Sequence, residues 1–278
     1  MAISKILIAG KQVYLRKFYA TGSKLIETTR DDTGIDIISM ARAPVNCLNI
    51  ELLDALKISL LEAQNNHSKG IILTSSLPTI FSAGLDITEL YNIDKKRLTD
   101  FFNTCQDTCL TLYSLNIPIA AAINGSSPAG GCLLAISTEY RVFVKGKHTI
   151  GLNETQLGII VPKWLKDIYI SALGYRQAEV ALLKGSLFKP EEALQIKLVD
   201  ELAEDKTSAI EKCKNYILSY NNIQSMARTI TKLDLRNDII QWIKENREVD
   251  CNRFVEHIQL PKVQHSLKLY IEYLKQKQ

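Results

Sequence analysis

The chain has 278 residues, with 34 Lys and Arg against 30 Asp and Glu, 46% hydrophobic residues and 23% charged residues. This composition is typical of a globular protein and excludes a disordered or fibrous chain. No run of about 18 apolar residues occurs, which excludes a membrane-spanning helix. The six cysteines and four histidines are scattered, without zinc-ligand spacing. We therefore expect a protein of a reducing compartment that carries no structural metal.

The first 24 residues form a basic leader with five Lys and Arg and no acidic residue. Because the whole chain has a net charge of +4, the remaining residues carry about −1, and they show no basic footprint for nucleic acid. The leader mixes basic and apolar residues at roughly helical spacing and contains hydroxyl groups, which is typical of a mitochondrial transit peptide. We predict a transit peptide over residues 1–24 and a location in the mitochondrial matrix. The alternative is an ordinary basic tail.

The first half of the chain favours helices that alternate with short buried strands. In chain order, the patterns predict a hairpin around the turn at 31–34, a helix capped by Asn49, a strand at 70–74, a helix near 94–114, a strand at 119–123, a glycine-rich loop, a short helix from about 131, and strands near 140–144 and 148–151. This alternation predicts an α/β fold.

Beyond residue 160 the pattern changes to successive helices. They are predicted at 165–173, 176–184, 190–195, 207–220, 225–234, 237–256 and 263–276. No linker rich in Gly, Ser or Pro separates the two halves of the chain. We therefore predict one α/β core over residues 25–200 that carries a helical C-terminal part over residues 201–278.

Two loops place small residues where a strand leads into a helix: FSAGLD at 81–86 and NGSSPAGGC at 124–132. Backbone N–H groups at a helix start are free donors, and two such loops can aim one N–H each at a single oxygen, which is the requirement for an oxyanion hole. From the residues alone, a glycine loop is more often a tight turn or a close helix crossing. Neither loop fits a nucleotide-phosphate template.

The sequence resembles the crotonase superfamily, also called the enoyl-CoA hydratase/isomerase superfamily, and within it the mitochondrial isomerase branch. FSAGLD and PIAAAINGSSPAGGC are similar to the two acyl-CoA loops, GLNETQLGIIVP at 151–162 to the catalytic segment, and KPEEALQIKLVDEL to a helix–strand segment after the core. The resemblance spans about residues 25–275. It implies a repeated ββα spiral core with C-terminal helices that cover the acyl site or form subunit contacts. It also implies an acyl-CoA thioester substrate, no separate cofactor and a homotrimer.

The resemblance also assigns roles to single residues. By position, it places the two oxyanion-hole N–H groups on Leu85 and Gly130, where only the main chain acts. The residues that it implies in binding the substrate are Ala83, Gly84, Leu85, Asp86, Ile87 and Gly130. It assigns no residue to a metal.

The number of carboxylates distinguishes the reactions within this superfamily. Members that hydrate an enoyl thioester use two glutamates to hold and activate water, but here Leu133 follows the G-G-C loop in the first position, and Glu154 matches the second. A single carboxylate suits a proton shuttle between C2 and C4. The resemblance therefore implies isomerisation of 3-enoyl-CoA to trans-2-enoyl-CoA in the β-oxidation of unsaturated fatty acids. The apolar neighbours of Glu154 predict burial and a raised pKa.

Several alternatives stay open at the level of sequence. Asn153 and Gln156 either orient the Glu154 carboxylate or satisfy the turn backbone, and Trp164 either lines the acyl pocket or belongs to the core. The alternative functions are a hydratase or a thioester hydrolase of the same fold, or a non-catalytic acyl-CoA-binding protein. Leu133 argues against the hydratase, and Glu154 together with both loops argues against the non-catalytic protein.

Overall fold

In the computed structural model, which describes residues 5–8, 11–14 and 24–276, the chain forms ten strands, nine α-helices and two 3₁₀ turns. The strands are β1 (Lys5–Ile8), β2 (Lys11–Tyr14), β3 (Ile26–Arg30), β4 (Asp36–Met40), β5 (Ile71–Ser75), β6 (Ile119–Ile123), β7 (Ser127–Pro128), β8 (Tyr140–Val144), β9 (Ile150–Gly151) and β10 (Glu201–Ala203). The helices are α1 (Ile50–Asn65), α2 (Lys95–Tyr113), α3 (Gly130–Ile136), α4 (Lys163–Leu173), α5 (Tyr175–Lys184), α6 (Pro190–Gln195), α7 (Lys206–Leu218), α8 (Ser225–Ile258) and α9 (Pro261–Gln276). The 3₁₀ turns are Ile87–Glu89 and Glu154–Leu157.

Local sequence signals place the first elements. Asp31 closes the β3–β4 hairpin, because its carboxylate accepts hydrogen bonds from the N–H groups of Thr33 and Ile35. Asn49 caps α1 by accepting the N–H of Leu52 at 3.1 Å. Asp94 caps α2 in the same way. The hairpin and both helices are therefore found where their turn and cap residues predict them.

The main sheet has six strands in the order β10-β8-β6-β5-β4-β3. Only the β3–β4 pair is antiparallel, while β4, β5, β6, β8 and β10 run parallel. One face packs on the larger hydrophobic core with α1 and α2, and α7 packs on the other face. Burial on both faces explains why β5 and β6 are apolar or small along nearly their whole length.

A second layer of very short strands stacks the loops that follow the main strands. β7 pairs with β9, and isolated bridges join Leu48 to Leu85, Ile80 to Ser126 and Ile150 to Phe188. Each turn of the chain therefore adds one long strand, one short strand and a helix. The predicted repeated ββα spiral with C-terminal helices is confirmed. β9 occupies only two residues of the strand predicted near 148–151.

The segment after residue 200 continues the core before it becomes purely helical. β10 is the edge strand next to β8, with Glu201 opposite Val142. α7 then covers the sheet face formed by β6 and β8. After α7, the described chain consists of the two helices α8 and α9.

The prediction of two helices at 225–234 and 237–256 is wrong, because α8 is one continuous helix of 34 residues. No Gly or Pro occurs between residues 225 and 258, so nothing in the backbone interrupts the hydrogen-bond ladder. Near its start, Arg228 and Lys232 form ion pairs with Glu139. Its last turns pack Phe254 and Ile258 into the core, and α9 folds back against the Glu154–Leu157 turn.

Parts of the leader lie outside the described residues, namely 1–4, 9–10 and 15–23, and the transit-peptide prediction falls largely on them. Eight of the nine leader residues that the structure describes pair as two antiparallel strands, with Lys5 opposite Tyr14 and Ile8 opposite Lys11, and not as a helix. The β-branched content of these short segments favours strands. Within the described ranges, no helix is both long and apolar enough to cross a membrane.

Candidate active site

The first glycine loop leaves one backbone N–H unused. Leu48 donates its N–H to the Gly84 carbonyl at 2.8 Å and accepts the N–H of Asp86 at 3.0 Å. In such a parallel bridge the residue between the two partners turns its own N–H to the other side. The Leu85 N–H accordingly makes no hydrogen bond to any described residue. Gly84 permits this path, because its φ of +89° is one that L side chains rarely adopt.

The second glycine loop supplies another free N–H beside the first. The N–H of Ala129 bonds to the Gly151 carbonyl at 2.8 Å, and α3 begins directly afterwards at Gly130. Gly130 stands in the first turn, where an N–H has no intrahelical acceptor. A Cβ atom at Gly130 would lie 3.1 Å from the Leu85 nitrogen, so the two N–H groups are neighbours. Two free N–H groups so close to each other are the elements of an oxyanion hole.

The Glu154 carboxyl group is buried and incompletely bonded. It stands at the start of the 3₁₀ turn after β9, where the Ile159 N–H bonds to its carbonyl at 3.0 Å. Its side chain is 7% exposed, and its Oε2 has no hydrogen-bond partner among the described residues. Burial raises the pKa of Glu154 to about 7, although its own backbone N–H opposes the rise. The structure confirms the predicted burial of the Glu154 side chain.

One cavity brings the three predicted chemical groups together. It has a volume of about 30 Å³. Its walls are formed by Leu85, Phe102, Cys105, Gly130, Leu133, Glu154, Ile159, Ile160, Pro162, Trp164, Leu165 and Phe254. Of these described residues, only Glu154 carries a carboxylate, and Leu133 presents an apolar side chain to the same space. An oxygen held by two N–H donors next to one carboxylate is an arrangement for moving a proton alpha to a carbonyl.

The other residues predicted to bind substrate lie on the first loop but do not line this cavity. They are Ala83, Gly84, Asp86 and Ile87. The Asp86 carboxylate is already engaged within the protein, since it accepts the N–H of Thr88 at 3.1 Å and pairs with Arg42 at 2.9 Å. It holds the shape of the loop that presents the Leu85 N–H.

The alternatives for the side chains near Glu154 are now distinguished. Gln156 donates to the Gly185 carbonyl at 2.9 Å and so fastens the Glu154–Leu157 turn to the end of α5. The Oδ1 of Asn153 is buried without a hydrogen-bond partner among the described residues. Neither side chain is hydrogen-bonded to the Glu154 carboxylate. Trp164 both lines the cavity and belongs to the core, with 2% of its surface exposed.

Contacts from the C-terminal helices to the site were missed by the sequence reasoning. The Gln264 side chain accepts the Asn92 N–H at 2.9 Å and donates to the carbonyls of Leu90 and Ile258 at 2.9 and 2.8 Å. α9 is thereby fixed to the segment that follows the first glycine loop. The partners lie up to 174 residues apart, and no local pattern marks them.

A buried carboxylate, Asp250 of α8, was also missed. Its Oδ2 accepts the indole N–H of Trp164 at 3.0 Å and the side-chain N–H of Gln106 at 3.1 Å. Residues from α2, α4 and α8 therefore meet at one oxygen atom behind the cavity wall. In the described part of the chain, no three His, Cys, Asp or Glu side chains are grouped so as to hold a metal ion.

Comparison with known proteins identifies the family. The model of the Enoyl-CoA hydratase/isomerase family matches residues 30–278. The chain belongs to this family. The predicted superfamily is confirmed, and the catalytic-segment resemblance around Glu154 lies within the matched range.

Two curated relatives and one solved structure are similar over most of their length. The chain is 40% identical over 262 residues to "Enoyl-CoA delta isomerase 1, mitochondrial" of Mus musculus, covering 93% of this chain and 90% of the relative. The Homo sapiens protein of the same name is 39% identical over 245 residues, with 87% and 81% covered. The crystal structure of human mitochondrial delta3-delta2-enoyl-CoA isomerase matches with a TM-score of 0.89 and 38% identity, covering 92% of this chain and 100% of that chain.

Proposed function

We propose that the protein is an enoyl-CoA isomerase that moves the double bond of a 3-enoyl-CoA to the trans-2 position. The observation that supports this most strongly is the Glu154 carboxyl group. It is buried with one oxygen unbonded, in a cavity that Leu85 and Gly130 also line. The isomerase names of the curated mouse and human relatives support the same reaction. No separate cofactor is part of the proposal, because coenzyme A belongs to the substrate.

Each group has one role in the proposed reaction. The thioester oxygen accepts hydrogen bonds from the N–H groups of Leu85 and Gly130, which stabilise the negative charge that develops when C2 loses a proton. Glu154 takes that proton and returns it to C4 of the resulting dienolate. A pKa of about 7 lets the same carboxyl group accept and then donate a proton near neutral pH.

The single carboxylate favours isomerisation over the alternatives. Addition of water requires a group that holds and activates the water, and Leu133 presents only carbon atoms to the cavity. A non-catalytic binding protein has no use for an unpaired buried carboxyl group, which lowers stability unless it is bonded. We therefore place hydration, thioester hydrolysis and passive binding behind isomerisation.

A direct assay tests the proposal. The protein is incubated with 3-hexenoyl-CoA and with 3-dodecenoyl-CoA, and the absorbance of the conjugated thioester is followed. Glu154→Gln should lower the rate by about 10²–10⁴-fold, as expected for loss of a general base. The matched control is Glu62→Gln on the exposed side of α1, which should leave the rate unchanged. A Glu154→Gln variant that binds acyl-CoA and isomerises within about tenfold of wild type would show another proton route.

We also propose a mitochondrial matrix location with removal of the leader. The acid-free leader and the word "mitochondrial" in the names of the curated relatives support it. N-terminal sequencing of the protein from isolated mitochondria should begin at about residues 19–26, as a cleaved transit peptide requires. A full-length protein in the cytosol would contradict the proposal.

A homotrimer is the assembly that we propose. Large apolar side chains are exposed on several helices of the single chain, including Leu183 of α5, Met226 and Leu235 of α8, and Leu269 of α9. Their exposure supports burial against other subunits. Light scattering should give three times the chain mass or a multiple of that value, whereas a stable monomer at micromolar concentration would contradict it.

A further inference from the structure

The Asp250 node, formed by Asp250, Trp164 and Gln106, is buried but takes no part in the proton shuttle. Asp250 is 7% exposed and Gln106 is fully buried. One carboxylate oxygen accepts both N–H donors, at 3.0 Å from Trp164 and 3.1 Å from Gln106. Hydrogen bonds to a charged acceptor are stronger than neutral ones, so this node fixes the orientation of the indole ring.

The indole ring of Trp164 forms part of the wall of the cavity that Glu154 also lines, and this cavity is small. The cavity of about 30 Å³ has room for roughly two ordered water molecules. Since Leu85, Gly130 and Glu154 face the reacting atoms, the acyl carbons beyond C4 must displace apolar wall side chains. The wall side chain that can move least therefore limits the length of the acyl chain that fits.

A second cavity shares part of this wall and is lined by charged side chains. Ile160, Pro162 and Phe254 line both cavities, whereas Asp250, Lys163 and Arg253 line only the second. Phe254 stacks on Phe102 with ring centroids 4.2 Å apart. An alkyl chain that passed this wall would desolvate charged groups, which is unfavourable. The charged cavity therefore does not extend the acyl pocket.

We propose that Trp164 is the end wall of the acyl pocket and limits the acyl chain length of the substrate, and that Asp250 is the residue that positions it. This inference rests on the proposed isomerase function and adds a specificity determinant to the same site. Asp250 acts only through Trp164 and touches no reacting atom.

Chain-length selectivity tests the end wall. The measured quantity is kcat/KM for 3-dodecenoyl-CoA divided by kcat/KM for 3-hexenoyl-CoA. Trp164→Phe removes the indole N–H and shortens the ring system, so the ratio should rise about tenfold, the scale of one or two methylene groups in an apolar pocket. The matched control is Trp242→Phe, the other tryptophan of the chain, which lies under the Lys163 ammonium group and lines neither cavity. Equal effects of the two substitutions, or no effect of Trp164→Phe, would overturn the assignment.

The positioning role of Asp250 has its own test. Asp250→Asn keeps an oxygen that can accept both donors, so the ratio should stay within about twofold of wild type. Asp250→Ala releases the indole ring, and water from the adjacent cavity can replace the carboxylate, so the ratio should rise toward that of Trp164→Phe. In the Trp164→Phe background, Asp250→Ala should add nothing. Additive effects, or an equal effect of Asp250→Asn, would overturn the positioning role.

A binding measurement separates this inference from the proposed function and does not depend on an Asp250 variant. Trp242→Phe leaves Trp164 as the single tryptophan of the chain. Its fluorescence is recorded with butanoyl-CoA and decanoyl-CoA, which are saturated, while calorimetry reports binding. Decanoyl-CoA should change the emission more than butanoyl-CoA. If both bind and the emission responds equally, the end wall is wrong although the isomerase proposal stands. If neither acyl-CoA binds and 3-enoyl-CoA is not isomerised, the proposed function itself fails.

Discussion

The imidazole Nε2 of His257 lies 2.8 Å from the carbonyl oxygen of Gly158, a residue 99 positions earlier in the chain. Gly158 ends the 3₁₀ turn that Glu154 begins, and its φ of +74° turns the chain back toward the cavity. The bond requires the proton to be on Nε2, because a carbonyl only accepts. The end of α8 therefore fixes the far end of the Glu154–Leu157 turn.

We expect His257→Leu to lower kcat, because the Glu154 carboxyl group becomes less well oriented. The decrease should be about threefold to tenfold, which corresponds to the free energy of one lost hydrogen bond. KM should change little, since the cavity wall is intact. His257→Gln retains a side-chain N–H and should stay close to wild type. Steady-state kinetics with 3-hexenoyl-CoA check this. A change in KM alone would show that His257 acts on substrate binding.

The pH dependence should follow Glu154. Because burial raises its pKa to about 7, the carboxyl group is protonated below that pH and cannot take the C2 proton. We expect kcat/KM to rise about tenfold per pH unit below pH 6 and to level off above pH 8. Initial rates between pH 5.5 and 8.5 measure the profile. A profile that is flat across this range would contradict a raised pKa of the catalytic base.

Glu154→Gln should stabilise the protein at neutral and alkaline pH. The folded pKa of about 7 exceeds the ordinary value of 4.5, so the folded state holds a proton that the unfolded state releases between these values. The free energy of unfolding of wild type therefore falls as pH rises from about 4.5 to 7, and the loss remains at higher pH. The variant should gain on the order of 3 kcal/mol over wild type at pH 8 and little at pH 5.

Urea unfolding of wild type, Glu154→Gln and Glu62→Gln at both pH values measures this difference. Glu62 is exposed, so its replacement should not change the free energy of unfolding in a pH-dependent way. If Glu154→Gln is less stable than wild type at pH 8, the carboxylate is stabilised in the folded protein by a group that the cavity geometry does not include.

Leu133→Glu adds a second carboxylate at the position where the resemblance implies one in hydratases. Leu133 is 6% exposed and faces the same cavity as Glu154, so we expect slow addition of water to trans-2-enoyl-CoA. Two carboxyl groups in one cavity raise each other's pKa, so isomerisation should also weaken near pH 7. Chromatography of the 3-hydroxyacyl-CoA product measures hydration. Leu133→Gln has similar size without charge and should form none; equal hydration by both variants would exclude a role for the carboxylate.

The sequence predicted best those elements that are marked by nearby residues, such as helix caps. Asn49 and Asp94 cap helices through contacts three residues away, and both helices begin where expected. β7 and β9 are only two residues long and exist because successive loops stack on one another. The break predicted after residue 234 was wrong because the charged stretch there continues one helix.

The site shows the same division between local and distant signals. The resemblance singled out Leu85, Gly130 and Glu154, which the structure places around one cavity. Asp250 and Gln264 could not be found in this way. Their partners lie between 6 and 174 residues away, and an aspartate or glutamine in an amphipathic helix carries no pattern that indicates such a contact.

The continuous helix α8 connects two distant regions of the fold, the surroundings of Glu139 and the wall of the cavity. At 1.5 Å per residue, its 34 residues form a rod about 50 Å long. Arg228 and Lys232 bind Glu139 near one end, and Phe254 and His257 reach the acyl wall and the Glu154–Leu157 turn near the other. We therefore expect substitution of Arg228 or Lys232, whose ion pairs with Glu139 are largely buried, to shift the rigid helix that carries Phe254 and so to change the shape of the pocket.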